Sequence, residues 1–204
     1  MTLAMFEPSP LAEIERAVQR RAKELGAAPG EQTTLHLRRL IEDEVARWGE
    51  DYKRGLREFD LADPLLLSER AYRNLAGYGP LEPLLADDDV WEIMINAPDA
   101  IFVKRHTGVS GYHDEVFHDD EHVLRTLTKI LDDASGSHRK LDPSEGLQDA
   151  QLDNGARLHI VHSDIGRDGH VIVNIRKFTG VALKSLDELV ARGTIDRQVA
   201  AFLR

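Results

Sequence analysis

The stretch that most limits what this chain can become runs from Asp149 to Phe178, DAQLDNGARLHIVHSDIGRDGHVIVNIRKF. Two β-rich runs, Arg157 to Ser163 and His170 to Phe178, flank Asp164, Gly166, Asp168 and Gly169, which predicts a hairpin with a longer loop. Strand side chains alternate between faces, so Leu158 and Ile160 share one face while Arg157 and His159 take the other. In the second run Val171, Val173 and Ile175 oppose Asn174 and Arg176. Each strand therefore carries an arginine on its less apolar face. Two readings follow: strand-end charges that pair with some of the chain's many carboxylates, or a positive surface offered to an anion.

With 204 residues, 42% hydrophobic and 30% charged, the chain can bury a core as one medium domain or two small ones. Its formal charge of −10 argues against a nucleic-acid-binding surface, which needs a basic patch. The lack of cysteine excludes disulfides and thiolate-bound metal. No run of about 18 apolar residues occurs, and the opening MTLAMFEPSPLAEIER has neither the basic start nor the apolar centre of a secretion signal. The expectation is a cytoplasmic protein.

Taken in order, Leu11, Ile14, Val18 and Leu25 form a narrow apolar stripe on a charged helix ending near Gly26. After a loop with Pro29 and Gly30, Leu37, Leu40, Ile41, Val45 and Trp48 mark a helix over roughly Thr33 to Tyr52, capped by Thr33 or Thr34. Asp63-Pro64 restarts the chain and Ser68 to Leu75 gives a shorter helix, so a helical bundle is predicted up to about Gly77. Tyr78 to Leu85 reads as a connector broken by two prolines. Then come WEIMIN, with Trp91, Ile93 and Ile95 on one face, the strand IFVKR and a third strand from Tyr112 to Phe117. Asp119 and Asp120 open a helix that runs through Asp133 to Ser135-Gly136. His138 to Asp149 reads as a loop carrying Arg139 and Lys140. Ser185 caps the helix LDELVAR, closed by Gly193, and Thr194 or Asp196 opens a last helix with Val199, Phe202 and Leu203 at helical spacing. The fold class is α+β: a helical bundle followed by a mostly antiparallel sheet with flanking helices.

GYGPLEPLL (Gly77 to Leu85), WEIMINAPDAIFVKR (Trp91 to Arg105), LDNGARLHIV (Leu152 to Val161) and VNIRKF, taken together, resemble the N-terminal part of CpaF-like secretion ATPases. These form the tight-adherence pilus branch of the type II/type IV secretion ATPase superfamily. The resemblance covers roughly Ser68 to Arg204 and implies a PAS-like domain that precedes a RecA-like ATPase domain. It divides the chain into a helical bundle (1–77), the PAS-like domain (78–180) and a helical linker (181–204). A helix ending at Arg204 without a terminating residue, and no G-x-x-x-x-G-K-[ST] loop to cradle phosphates, lead to the expectation that this stretch does not hydrolyse ATP alone. ATP and Mg2+ would belong to the full-length protein. The partners implied are its own RecA-like domain, the neighbouring subunits of a homohexamer and an inner-membrane secretion or pilus platform, which would place the protein at the inner face of the membrane. The alternative from another class is a stand-alone PAS-like interaction or ligand-sensing module.

Arginine's planar fork meets two phosphate oxygens at once, and an arginine from a neighbouring domain can stabilise charge on a transferred phosphoryl group. The resemblance implies phosphate contact for Arg176 and Arg157, and contact with the base or ribose for Asn96, which otherwise caps a turn before Pro98. The chain departs from the family at Gly146-Leu147, where relatives carry a proline-methionine pair, and at Gln151, where they carry arginine. No residue is assigned to catalysis. His159 and His162 lie three apart, so a strand would point them to opposite faces, and no metal site is expected. Asp87 to Asp89 and Asp119 to Glu121 read as solvated loop and helix-start carboxylates.

Overall fold

The computed structural model describes residues 9–25, 31–134, 141–178 and 185–204. Helix α1 (Pro10–Glu24) starts where Ser9 Oγ accepts a hydrogen bond from the Ala12 amide, with proline at the first helical position, where no N–H is needed. Helices α2 (Glu31–Lys53) and α3 (Pro64–Ala76) pack on it through one apolar cluster of Leu11, Ile14, Val18, Leu40, Ile41, Val45, Trp48 and Ala71. The sequence pattern needs three corrections here. Helix α2 begins at Glu31, so positions 33 and 34 are helical residues and not its start. Asp63 caps α3 through the Leu66 amide, four residues earlier than the periodicity suggests. Leu25 lies beyond α1 and is 58% exposed, so the stripe ends at Val18.

The two-proline connector contains a short helix, α4 (Leu81–Ala86), that buries Leu81 and Leu84. Pro83 is tolerated because first-turn amides have no intrahelical acceptor to lose. Six strands follow: β1 (Val90–Ala97), β2 (Ala100–Arg105), β3 (Gly111–Tyr112), β4 (Leu147–Gln151), β5 (Arg157–Val161) and β6 (Ile172–Arg176). They form one sheet in the order β3-β2-β1-β6-β5-β4, and every neighbouring pair is antiparallel. This is the predicted α+β architecture. Strand β4 occupies the end of the segment read as a loop, and the third strand shrinks to two residues, although Phe117 is still buried.

One face of the sheet is apolar. Ile93, Ile95, Ile101, Val103, Leu158, Ile160, Val173 and Ile175 meet Val123, Leu127, Ile130 and Leu131 of α5 (Asp120–Asp133), which Asp119 caps through the His122 amide. Each such side chain contributes about 1.5–3 kcal/mol on burial. Trp91 is not among them. A register shift between Val90 and Glu92 puts Val90 into the core, and the half-buried Trp91 ring lies 5.2 Å from Lys104 Nζ.

The bundle meets the segment between β3 and α5 through side-chain bonds from α1 and α3. Arg73 donates to both carboxylate oxygens of Glu115 at 2.6 and 2.7 Å, and buried Glu15 is held by Asn74 at 2.7 Å and by the His118 ring at 2.8 Å. Past the sheet lie α6 (Leu186–Ala191), capped by Ser185, and α7 (Arg197–Phe202), capped by Asp196. Of α7 only Ala200 is buried, so the helical spacing of Val199, Phe202 and Leu203 does not produce burial. Pro29, Gly30, the predicted stop at Ser135-Gly136, Arg139 and Lys140 lie outside the described residues.

The β5–β6 loop makes one steric demand. A Cβ on Gly166 would run into the carbonyl oxygen of His170 and come within 3.2 Å of that of His162, both of them backbone atoms that cannot swing away. Gly166→Ala is therefore expected to destabilise the fold by about 2 kcal/mol, read as a lower denaturant midpoint. A midpoint equal to that of the parent would contradict this loop geometry.

Candidate functional site

On the sheet's other face the register lines up polar side chains. Gln151 of β4 is paired with Arg157 of β5, Arg157 with Arg176 of β6, Arg176 with Glu92 of β1, and Glu92 with Lys104 of β2. Adjacent strands are about 4.8 Å apart, so these five residues make one straight row across the sheet. The two sequence-predicted arginines are thus direct cross-strand neighbours. Like charges directly opposite one another are unfavourable, and here two guanidinium groups share the arrangement.

Part of that cost is offset from one side. Glu92, whose side chain is 1% exposed, accepts hydrogen bonds from Arg176 Nε at 2.9 Å and Asn174 Nδ2 at 3.1 Å on one oxygen and from Lys104 Nζ at 2.6 Å on the other. Burial pushes its carboxyl up, but the bonds from Lys104, Arg176 and Asn174 outweigh burial and hold it down at about 2. The ion-pair reading therefore holds for Arg176 and not for Arg157. Arg176 is paired with a carboxylate through Nε, while its 69% exposed side chain leaves the terminal nitrogens without a protein partner among the described residues. Arg157 is exposed, and among the described residues it makes no ion pair.

Gln151, Gly155, Arg157, Arg176, Lys177 and Phe178 line an open cavity of about 440 Å³, within the size range of small-ligand sites. Phe178 is 79% exposed and passes close to Gly155, where a Cβ would stand 3.3 Å from that of Phe178. Gly155 also has φ +83°, a conformation that favours glycine. Lys177 adds no free charge to the cavity, because its ammonium donates to the carbonyls of Leu84 at 3.0 Å and Asp87 at 2.6 Å, and burial pushes its pKa down.

Asn96 is exposed near the end of β1, four residues along the strand from Glu92, a separation of about 13 Å. It does not line the cavity. The histidines are scattered: His159 bonds Asp149 at 2.7 Å, His170 bonds Asp120 at 2.9 Å, and His162 is buried. Among the described residues no three His, Asp or Glu side chains gather as metal ligands. The Asp87–Asp89 loop is less solvated than its sequence suggests. Asp87 pairs with Arg105, and Asp89 accepts from the Thr107 amide at 2.8 Å, the Thr107 hydroxyl at 2.7 Å and the Gly108 amide at 3.0 Å.

Sequence reasoning did not single out Glu92, Lys104 or Phe178, and it discounted Gln151. For Glu92 a signal existed: one charged residue inside the apolar run VWEIMI. Among the described residues no helix is long and apolar enough to cross a membrane.

No family model matches the chain. It is 31% identical over 135 residues to putative conjugal transfer proteins from two strains of Mycobacterium tuberculosis, a match covering 63% of this chain and 37% of each relative. An uncharacterized protein of Methanocaldococcus jannaschii is also 31% identical, over 132 residues, 64% of this chain and 23% of that protein. Among solved structures, the VirB11 ATPase of the Brucella suis type IV secretion system, in complex with sulphate, is similar with a TM-score of 0.47 and 26% identity, over 57% of this chain and 34% of that one. The chain thus spans little more than a third of the length of the conjugal transfer relatives that it matches, and it is similar in sequence to proteins named for conjugal transfer.

Proposed function

We propose that this chain is the N-terminal, non-catalytic region of a secretion or pilus-assembly ATPase, and that its arginine pair contacts the phosphates of a nucleotide held mainly by a RecA-like domain. The observation that carries this reading is the direct opposition of Arg157 and Arg176 at the edge of an open cavity, an arrangement that an anion would stabilise. The motif resemblance supports the choice of ATPase over other anion-binding proteins, and the names of the sequence relatives, putative conjugal transfer proteins, support a transfer or secretion role. Within this reading, 1–77 is a helical bundle, 78–180 a PAS-like domain and 181–204 a linker; the separate apolar clusters of the helices and the sheet support that division. The working assembly is a homohexamer of the tight-adherence type, cytoplasmic, and docked on a membrane-embedded platform.

ATP with Mg2+ would supply the phosphoryl group. The residues of this chain fit the phosphate part of that ligand: Arg157 and the terminal fork of Arg176 present donors to phosphate oxygens, and Gln151 adds an uncharged polar group beside them. They act by placing fixed positive charge beside phosphate, and no proton moves through them. The chain alone is expected to bind ATP only weakly, at millimolar concentration, with the largest backbone NMR shifts at Gln151, Arg157, Arg176 and Phe178, and to show no turnover. Shifts confined to another surface, or hydrolysis by a clean preparation, would overturn this reading.

A further inference from the structure

The arrangement around Glu92 goes one step beyond naming the arginines. Glu92 is the sole described carboxylate bonded to Arg176, and it binds only Nε, the nitrogen farthest from the tip of the side chain. It is itself immobile, being buried and held on both oxygens by Lys104, Asn174 and Arg176. A guanidinium is planar and rigid, so fixing Nε fixes the plane of the terminal nitrogens as well. On the far side of Arg176 stands Arg157, its cross-strand neighbour. With no carboxylate behind it, Arg176 would be free to swing away from that second positive charge.

We infer that Glu92 is a positioning residue that holds the Arg176 fork beside Arg157, so that the two arginines receive a polyphosphate as a ready-made pair. The inference rests on the phosphate-binding reading above and names what makes that site work. Glu92 never touches the ligand in this scheme. Its negative charge is set behind the arginine, and the paired guanidinium groups of Arg157 and Arg176 carry the two positive charges that a ligand of at least two negative charges meets.

Lys104 supplies the control. It bonds the other oxygen of Glu92 and does not line the cavity, so Lys104→Met disturbs the same buried carboxylate while leaving the Arg176 bond in place. The test uses this chain with inorganic triphosphate as the probe, followed by two NMR observables: the dissociation constant and the Arg176 Nε–Hε cross-peak, which persists only when that group is hydrogen-bonded and ordered. Glu92→Gln is expected to weaken triphosphate binding about tenfold, the scale of one charge-assisted hydrogen bond, and to abolish the cross-peak. Lys104→Met is expected to change affinity less than about twofold and to keep the peak. If Glu92→Gln does not fold, Glu92→Asp, one methylene shorter but still charged, is expected to show the same two losses in smaller degree.

A persistent cross-peak and unchanged affinity in the Glu92 variants, or equal losses in Lys104→Met, would overturn the positioning role. The cross-peak is read without any ligand. If parent protein shows the peak and the Glu92 variants lose it, yet triphosphate binds nowhere near Arg176, the phosphate-binding reading fails while the restraint of Arg176 by Glu92 stands.

Discussion

If the proposed reading holds, replacing Arg176 by alanine in a longer protein that joins this chain to a RecA-like domain is expected to lower steady-state ATP hydrolysis by roughly 10³-fold, the lower end of what arginines acting on a transferred phosphoryl group contribute. Folding should lose far less. The Arg176 side chain is 69% exposed, and buried Glu92 keeps its bonds to Lys104 and Asn174 when Arg176 is removed. The disparity is what makes the experiment informative, because general destabilisation would lower activity and denaturant midpoint together. Steady-state hydrolysis equal to that of the parent would remove Arg176 from the mechanism. Arg157→Ala should follow in the same direction, since its charge stands directly opposite across the β5–β6 ladder.

Acid should unfold the domain in two stages with different origins. Glu92 has its carboxyl held at about 2 against an ordinary 4.5, so the folded state binds its proton less readily than the unfolded chain. Its contribution is fully present above pH 4.5 and is lost as pH falls through 2. At about 1.4 kcal/mol per pKa unit the loss is at most about 3 kcal/mol, reduced by the water that reaches Lys104 and Arg176. His122 acts earlier. Burial, with the nearby His118 and Arg125, pushes its pKa down from 6.5 to about 4, so it stays neutral in the fold while the unfolded chain takes up a proton. That term erodes stability between pH 6.5 and 4. Chemical denaturation at pH 7, 4 and 2 checks both, and Glu92→Gln should flatten the curve below pH 4.5 while leaving the upper stage intact. A Glu92→Gln curve that still falls steeply in the lower window would assign the acid transition to other carboxylates.

What the sequence made legible was local. Alternation in RLHIV and VIVNIR correctly sorted Leu158, Ile160, Val173 and Ile175 from Arg157, His159, Asn174 and Arg176, because a strand's period of two is intrinsic to its backbone. Caps at Asp119, Ser185 and Asp196 were readable for the same reason, since each acts within three residues. Trp91 was misplaced because one irregular residue in β1 inverts the alternation, and composition does not announce a bulge. Val199, Phe202 and Leu203 had helical spacing, but spacing does not say whether another surface covers it. The assignment of Arg157 and Arg176 as candidate phosphate contacts came from motif resemblance joined to that alternation. Their supporting carboxylate did not, because Glu92 and Arg176 are 84 residues apart and meet only when β1 pairs with β6. Gln151 entered the cavity through the local β4–β5 pairing, which sets it opposite Arg157.

The antiparallel ladders place Leu158, Ile160, Val173 and Ile175 on one side and both arginines on the other. Sliding β6 by a single residue would drive Arg176 into the apolar interior and expel Ile175 and Val173 into water, a cost no surface contact could offset. Correct pairing of these strands and assembly of the cationic pair are consequently one event. A partly folded chain has no half-built version of this locus, and any substitution that lets the strands slip should lose the proposed phosphate binding and cooperative folding at the same denaturant concentration.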